Sequence, residues 1–299
     1  MYDAIVIGAG PAGLQAGLTL GRMHRKTLLL DSGAYRNGTV LHMHNVLGDD
    51  GTAPAKYRAR AKKQLTEYRD VEFSAGTVAR ISGAVDNFTV HFPDGHSEDA
   101  RRIVLATGLA DELPHVDGLD ELWGRGAFVC PFCDGHEFDG ADIGIIGSGP
   151  RAAHLLGMLG RIAQSITVFP IDEPVAEEER AALEAAGARV ASAVVAQVRA
   201  ADDGVAVTAG AEVVGVAGLF LAAGGFRQRA PFIEHLGLRM LDSGAIEIDD
   251  FGHTSVAGIS AAGDLAHRAS MPGPMASVIQ AAAAGQLAAS AVVQELAHG

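Results

Sequence analysis

Cysteine is almost absent from this chain, with two residues in 299, so the disulfide scaffolds of small secreted domains are excluded. Proline is modest at 11 and there is no G-X-Y period, which removes collagen-like and low-complexity architectures. Basic residues are outnumbered 23 to 36, giving a net charge of −13. A protein that tracks nucleic-acid phosphates needs clustered Lys and Arg, so nucleic acid is not an expected partner. Met1 runs straight into Tyr2-Asp3-Ala4-Ile5 with neither a basic leader nor a small-residue cleavage site, and a cytoplasmic protein starting at this residue is expected. Long apolar runs are missing too. The least charged stretch, Ser270 to Gln294, is Ala-rich and broken by Ser277, Gln280, Gln286 and Ser290, which reads as a buried or half-buried helix rather than a membrane span. What is abundant is glycine: 38 residues, nearly twice the usual share of roughly 7%. With 48% apolar and 20% charged residues the chain can bury a core, so the glycines belong in turns, and the length suits one large or two medium domains.

The chain contains one internal duplication. Ala4-Ile5-Val6-Ile7 is a β-branched strand pattern that ends in Gly8-Ala9-Gly10-Pro11-Ala12-Gly13 and continues into a helix-compatible stretch through Leu14, Leu18 and Leu20. Thr27-Leu28-Leu29-Leu30 closes on Asp31, 23 residues beyond Gly8, completing a strand–helix–strand unit with an acid at its tip. The same order recurs 139 residues later: Ile143 to Ile146, then Gly147-Ser148-Gly149-Pro150-Arg151-Ala152, a helix through Leu155 and Leu159, and the strand Ser165 to Phe169. Thr77–Ile81 and Phe88–Phe92 read as a meander, Arg102–Gly108 as a returning buried strand, and a similar series follows the second unit: helix Glu177–Ala186, strands near Val190 and Val205, then Gly218–Gly224. The expected fold is α/β, with two Rossmann-like, three-layer ββα nucleotide-binding domains, the second inserted in the first. Residues 1–112 and 241–299 would form one domain and residues 113–240 the other.

In Gly8-x-Gly10-x-x-Gly13 the first glycine permits the tight turn, the second lets a pyrophosphate approach the backbone, and the third allows close helix–strand packing. The helix N-terminus then offers free N–H groups to the phosphates, and Asp31 can accept hydrogen bonds from a ribose diol. Cys130-Pro131-Phe132-Cys133 has the spacing of a reversible disulfide. Zinc is the rival reading, but a structural site needs about four ligands, and only His115 and His136 could add to the pair. Redox chemistry suits a dithiol that accompanies two dinucleotide sites, and a carboxylate beside it at Asp134 suits proton transfer.

Gly8 to Gly13, Ala106-Thr107-Gly108, Cys130-x-x-Cys133-Asp134-Gly135, Gly147-x-Gly149-x-x-Ala152 and Thr254 through Gly263-Asp264 occur in the order found in low-molecular-weight thioredoxin reductases, which the whole chain resembles. The resemblance implies FAD in the first domain, with Asp264 on the ribityl chain, Val78 near the adenine, Asn45 near a flavin contact, and Val278 and Ile279 at a helix start facing the flavin pyrimidine. It implies that Cys133 lies against the flavin, that Cys130 exchanges with substrate, that Asp134 moves protons, and that the protein is a homodimer. His136 stands in place of an aromatic residue of the family and is a second candidate for proton transfer.

Two departures matter. Where reductases that use NADPH carry a basic cluster for the 2′-phosphate, this chain has Asp172, Glu173, Glu177, Glu178 and Glu179 and no base. Like charge at close range opposes a phosphate, so NADPH is disfavoured. Asp172, 25 residues beyond Gly147, keeps NADH open by offering a ribose acceptor, and a vestigial domain is the other reading. Near the flavin, Val278-Ile279 replaces an Arg-Gln pair, with Met271-Pro272-Gly273-Pro274-Met275 before it. Both departures resemble the flavin-dependent dithiol oxidases that close disulfides in small natural products of the gliotoxin and holomycin type. The expected activity is therefore dithiol oxidation through Cys130/Cys133 and FAD to oxygen. The alternatives are reduction of a thioredoxin-like protein by NADH or NADPH, reduction fed by ferredoxin or another flavoprotein, and a non-enzymatic nucleotide sensor. No metal is expected. His42 and His44 read as solvated loop residues.

Overall fold

The computed structural model describes residues 1–298. Strand β1 (Tyr2–Ile7), helix α1 (Pro11–Arg22) and strand β2 (Thr27–Asp31) form the first strand–helix–strand unit. Helix α2 (Pro54–Leu65), β3 (Val71–Ala75), the hairpin β4 (Arg80–Ala84) and β5 (Asn87–His91), and the long β6 (Ser97–Leu105) follow. The sheet order is β3-β2-β1-β6-β5-β4. β6 is long enough to serve two partners along one edge: its first half pairs antiparallel with β5, Phe88 opposite Ala100, and its second half pairs parallel with Ile259–Ala261. Its other edge runs parallel to β1. This makes one sheet carry both the parallel nucleotide-binding layer and the antiparallel meander, with Ile5, Phe88, Ile103 and Ile259 buried on one face and Val6 and Val104 on the other, where Leu20 of α1 packs with them.

The second unit repeats the plan. Asp142–Ile146, the helix Gly149–Leu159 and Ser165–Phe169 form its strand–helix–strand core, in a parallel sheet with Arg189–Val190, Gly218–Leu221 and Ala127–Phe128. Val195–Ala201, Gly204–Ala209 and Glu212–Val216 form its antiparallel meander. Trp123 packs against the core of this unit.

The compact units are residues 1–38, 55–110 and 226–299, and residues 39–54 and 111–225. The sequence placed the return to the first domain near Leu241, but Ala230, Phe232, Ile233 and Leu238 are already buried in the first unit's core. It also read a strand at Thr77–Ile81, whereas the hairpin begins at Arg80 and turns at Asp86, which has φ 68°. The closing helix begins at Val278, as the resemblance implied, and not at the start of the Ala-rich stretch, because Pro272 and Pro274 lack the N–H a helix needs and the Ser277 hydroxyl accepts the Gln280 N–H at 3.1 Å. Among the described residues no helix is long and apolar enough to cross a membrane.

Candidate functional site

The first unit gathers the residues expected to hold FAD except Asn45, which falls in the second. Gly8 takes φ 112°, and a β-carbon there would lie 2.2 Å from the Ala106 carbonyl oxygen. One on Gly13 would lie 1.7 Å from the Gly8 carbonyl oxygen, whereas Gly10 has open space around it. Two glycines are thus required by packing and the third leaves the turn open on its outer side, which suits a pyrophosphate cradle. Gly10 caps α1 with no side chain and Pro11 opens it, leaving the first-turn N–H groups of Ala12 and Gly13 available. The closing helix crosses α1 so closely that a β-carbon on Gly285 would sit 2.0 Å from the Ala12 carbonyl oxygen, and one on Gly263 would sit 3.0 Å from the Ala12 β-carbon. Ala106, Gly263 and the helix that starts at Val278 and Ile279 are therefore drawn to the same turn. The Thr107 hydroxyl is buried with no hydrogen-bond partner among the described residues, between Ala106 and Gly108, as expected of a group that bonds a ligand. A flavin dinucleotide fits this cradle.

The acids at its ends have partners the sequence did not reveal. Asp31 accepts the Gly33 N–H at 2.9 Å, the Tyr35 hydroxyl at 2.5 Å and the Lys62 ammonium. Burial pushes its carboxyl up, but these bonds, Lys62 foremost, outweigh that and hold it below the usual carboxylate range. A carboxylate offers about four acceptor sites, so one remains for a ribose hydroxyl. Asp264 accepts from Arg36 at 2.9 Å. Val78 is buried in the apolar core. Asn45, with φ 58°, lies in the 39–54 segment that joins the second unit, where its N–H donates to Asp50 at 2.7 Å.

The redox pair lies in the second unit. Cys130 and Cys133 are disulfide-bonded, Cα to Cα 5.3 Å, across the short helix Pro131–Asp134. Cys130 caps it, its carbonyl accepting the Cys133 and Asp134 N–H groups at 3.1 Å each. Gly135 has to be glycine because a β-carbon would lie 2.4 Å from the Pro131 carbonyl oxygen. Asp134 is half-buried, and its carboxyl is pushed up to about 6 by burial first and by the nearby Glu137 charge second, with His44 pulling the other way. His44 arrives from the 39–54 segment, its Nδ1 3.3 Å from Glu137 and 3.7 Å from Asp50. The sequence singled out Asp134 and His136. The structure exposes His136, whose side chain has no hydrogen bond or ion pair among the described residues, and brings His44 to Glu137 instead. Nearly ninety positions separate His44 from the cysteines, and its only sequence signal was the closely spaced pair His42-Met43-His44.

The second nucleotide turn does not mirror the first. Gly147 has φ 117° and Ala152 is fully buried, as in the first motif, but Gly149 takes φ 73° where Gly10 has φ −74°. The Gly149 N–H, one of the groups that would meet a pyrophosphate, donates at 2.5 Å to the carboxylate of Glu179. Arg180, in the run after these acids, donates to the Val190 and Ala191 carbonyls, and Arg151 to that of Gly224. Asp172 stands in the following loop at φ 61°. The residues present do not fit a nicotinamide dinucleotide: the chain's own carboxylate holds the anion position and the neighbouring guanidinium groups are engaged elsewhere.

A sequence profile described as pyridine nucleotide-disulphide oxidoreductase matches residues 2–286. A Claviceps purpurea protein named thioredoxin reductase tcpT is 31% identical over 99% of this chain and 96% of its own length. Thioredoxin reductase sirT of Leptosphaeria maculans is 32% identical over 98% of this chain and 93% of its own. A probable thioredoxin reductase of Arthroderma benhamiae is 41% identical over a shorter stretch, 49% of this chain and 38% of that protein. Among solved structures, an oxidoreductase from Agrobacterium tumefaciens superposes with TM-score 0.89 at 33% identity over 99% of each chain. HlmI superposes with TM-score 0.90 at 32% identity, over 99% of this chain and 92% of its own.

Proposed function

The chain belongs to the pyridine nucleotide-disulphide oxidoreductase family, as a thioredoxin reductase-like oxidoreductase acting on sulfur groups, and from that membership we propose that it oxidises a small-molecule dithiol to its disulfide, with oxygen as final acceptor. One observation carries this reading. Glu179 occupies the Gly149 N–H at the second nucleotide turn, with Asp172, Glu173, Glu177 and Glu178 in the same segment, so electrons have no well-made entry from a reduced nicotinamide and enter as thiol.

In this scheme a substrate thiolate attacks Cys130, the Cys130–Cys133 bond breaks, and Cys133 leaves as thiolate. A second substrate thiol then attacks the substrate sulfur of the mixed disulfide and frees Cys130. Gly8, Gly10, Gly13, Thr107 and Asp264 would hold FAD, which when bound supplies the two-electron acceptor for the reduced cysteine pair. Asp134 receives the thiol proton, and its raised carboxyl lets it hold and release that proton near neutral pH. A second reading, reduction of a thioredoxin-like protein, has support from the names of the relatives and from Phe132, 71% exposed beside the dithiol where a protein substrate could touch it.

The test mixes the flavin-loaded protein anaerobically with dithiothreitol, NADH or NADPH and follows the visible absorbance of oxidised flavin. Rapid bleaching by dithiothreitol alone is expected. Bleaching by either nicotinamide nucleotide within the turnover time would overturn the oxidase reading in favour of the reductase.

A further inference from the structure

The proton carried by Asp134 is governed by groups that the reaction scheme leaves idle. Asp134 follows Cys133 directly, and Glu137 lies three residues on, on the next turn, His136–Phe138. His44 comes from a remote segment, is 23% exposed, and sits 3.3 Å from Glu137. That segment is itself braced: Met43 pairs with Thr52, His42 Nδ1 lies 3.0 Å from the Gly51 carbonyl oxygen, and the Asp50 carboxylate holds the Asn45 N–H. Below, the helix Gly149–Leu159 turns Leu159 toward Gly135, and its Arg151 and His154 are exposed, Arg151 donating to the Gly224 carbonyl. The ionisable groups around Asp134 are therefore Glu137 and His44, with Asp50 behind His44 and exposed His136 beside Gly135.

We propose that His44 and Glu137 form a charge pair that sets how readily Asp134 takes and returns its proton, and that both are positioning residues for thiol–disulfide exchange at Cys130–Cys133. The inference rests on the thiol-exchange chemistry proposed above, but not on the direction of electron flow. In the exchange, a substrate thiol gives its proton to the Asp134 carboxylate while its sulfur bonds Cys130 and the Cys130–Cys133 electron pair stays on Cys133. The second thiol then displaces Cys130, which leaves as thiolate. Two electrons have moved from substrate to the cysteine pair and two protons have been released, one held by Asp134 and one available to a cysteine. Glu137 beside Asp134 favours the protonated acid, and positive charge on His44 favours the carboxylate. The pair thus balances acceptance against release, and each member biases Asp134 in the opposite sense.

That opposition supplies the test. The rate at which dithiothreitol bleaches the flavin under anaerobic conditions is measured against pH for wild type, Glu137→Gln, His44→Gln, Asp134→Asn and the double variants Glu137→Gln/Asp134→Asn and His44→Gln/Asp134→Asn. The acid limb of the profile should move down by about half a pH unit in Glu137→Gln and up by about as much in His44→Gln, and both displacements should vanish in the Asp134→Asn background. Unmoved profiles, displacements in the same direction, or displacements that persist without Asp134 would overturn the proposal. If His44→Gln fails to fold, the exposed Glu137→Gln carries the test alone through its direction and its dependence on Asp134. Failure of wild-type protein to bleach with any dithiol would instead defeat the functional reading, so the two failures are distinguishable.

Discussion

Asp134 has both a cost and a use. Its carboxyl is raised from 3.8 to about 6, by burial before charge, so between those values the folded state binds more protons than the unfolded chain. Stability therefore falls as pH rises through that window, and the loss is complete above about 6. Asp134→Asn, neutral throughout, should be more stable than wild type by about 1 kcal/mol in urea unfolding at about pH 8 and equal to it below about pH 4. The same variant should lose the acid limb of dithiol turnover, because no carboxylate remains to receive the thiol proton. Equal stability at both pH values would show that the site does not strain the acid. The cysteines should divide their labour in the proposed scheme: Cys130→Ser and Cys133→Ser should each abolish dithiol oxidation in an oxygen-uptake assay while retaining flavin, since the cradle lies in the other compact unit. At this scale the motifs were legible, because Cys130, Cys133 and Asp134 are neighbours in the chain. Their tuning was not, because His44 reaches Glu137 only through the path of the 39–54 segment.

The pairing of α1 with the closing helix shows what a helix contributes beyond its own stability. The two are joined through Ala12 and Gly285 at a separation that excludes any β-carbon on Gly285, and the crossing fixes where the N-termini of both helices lie about the first glycine turn. Gly285→Ala should cost about 1–3 kcal/mol by overpacking and lower the flavin content of the purified protein, read from the ratio of visible to ultraviolet absorbance. Retention of full flavin content with unchanged urea midpoint would mean that the helices part without consequence for the cradle. The hydrophobic run of β1, the glycine turn and the Asp31 tip announced the strand–helix–strand unit, since local steric demands at Gly8 and Gly13 are written in neighbouring residues. The Ala-rich character of the closing helix announced a buried element, and its start at Val278 came from the resemblance rather than from composition; the prolines and the Ser277 cap supply the physical reason. Helix α2, with Lys62 facing Asp31, gave no such signal, because a partner for a strand-end acid is set by packing of a distant helix.

Across the whole molecule the duplicated plan keeps its strand–helix–strand topology while the surroundings of its two glycine turns differ. One turn leaves Gly10 open and its helix end uncapped by side chains, and the other fills the equivalent place with Glu179. Removing that carboxylate and supplying a base, as Glu179→Gln with Asp172→Arg, should raise the affinity for NADPH by about tenfold or more in equilibrium titration, since charge that repels a phosphate is removed and opposite charge supplied. No change in affinity would place the obstacle elsewhere in the second unit. The sequence by itself determined that there are two strand–glycine turn–helix units, that the chain's two cysteines form a C-x-x-C pair followed by Asp134, and that five acids follow the second unit's last strand. Those features follow from contiguous residues, whose strand periodicity, glycine spacing and charge need no long-range contact to be read. Tertiary structure alone decided that Glu179 bonds Gly149, that Arg36 bonds Asp264, and that His44 stands beside Glu137. Each joins segments between about 30 and 230 residues apart, and such meetings are set by how sheets and helices pack rather than by any local preference of the chain.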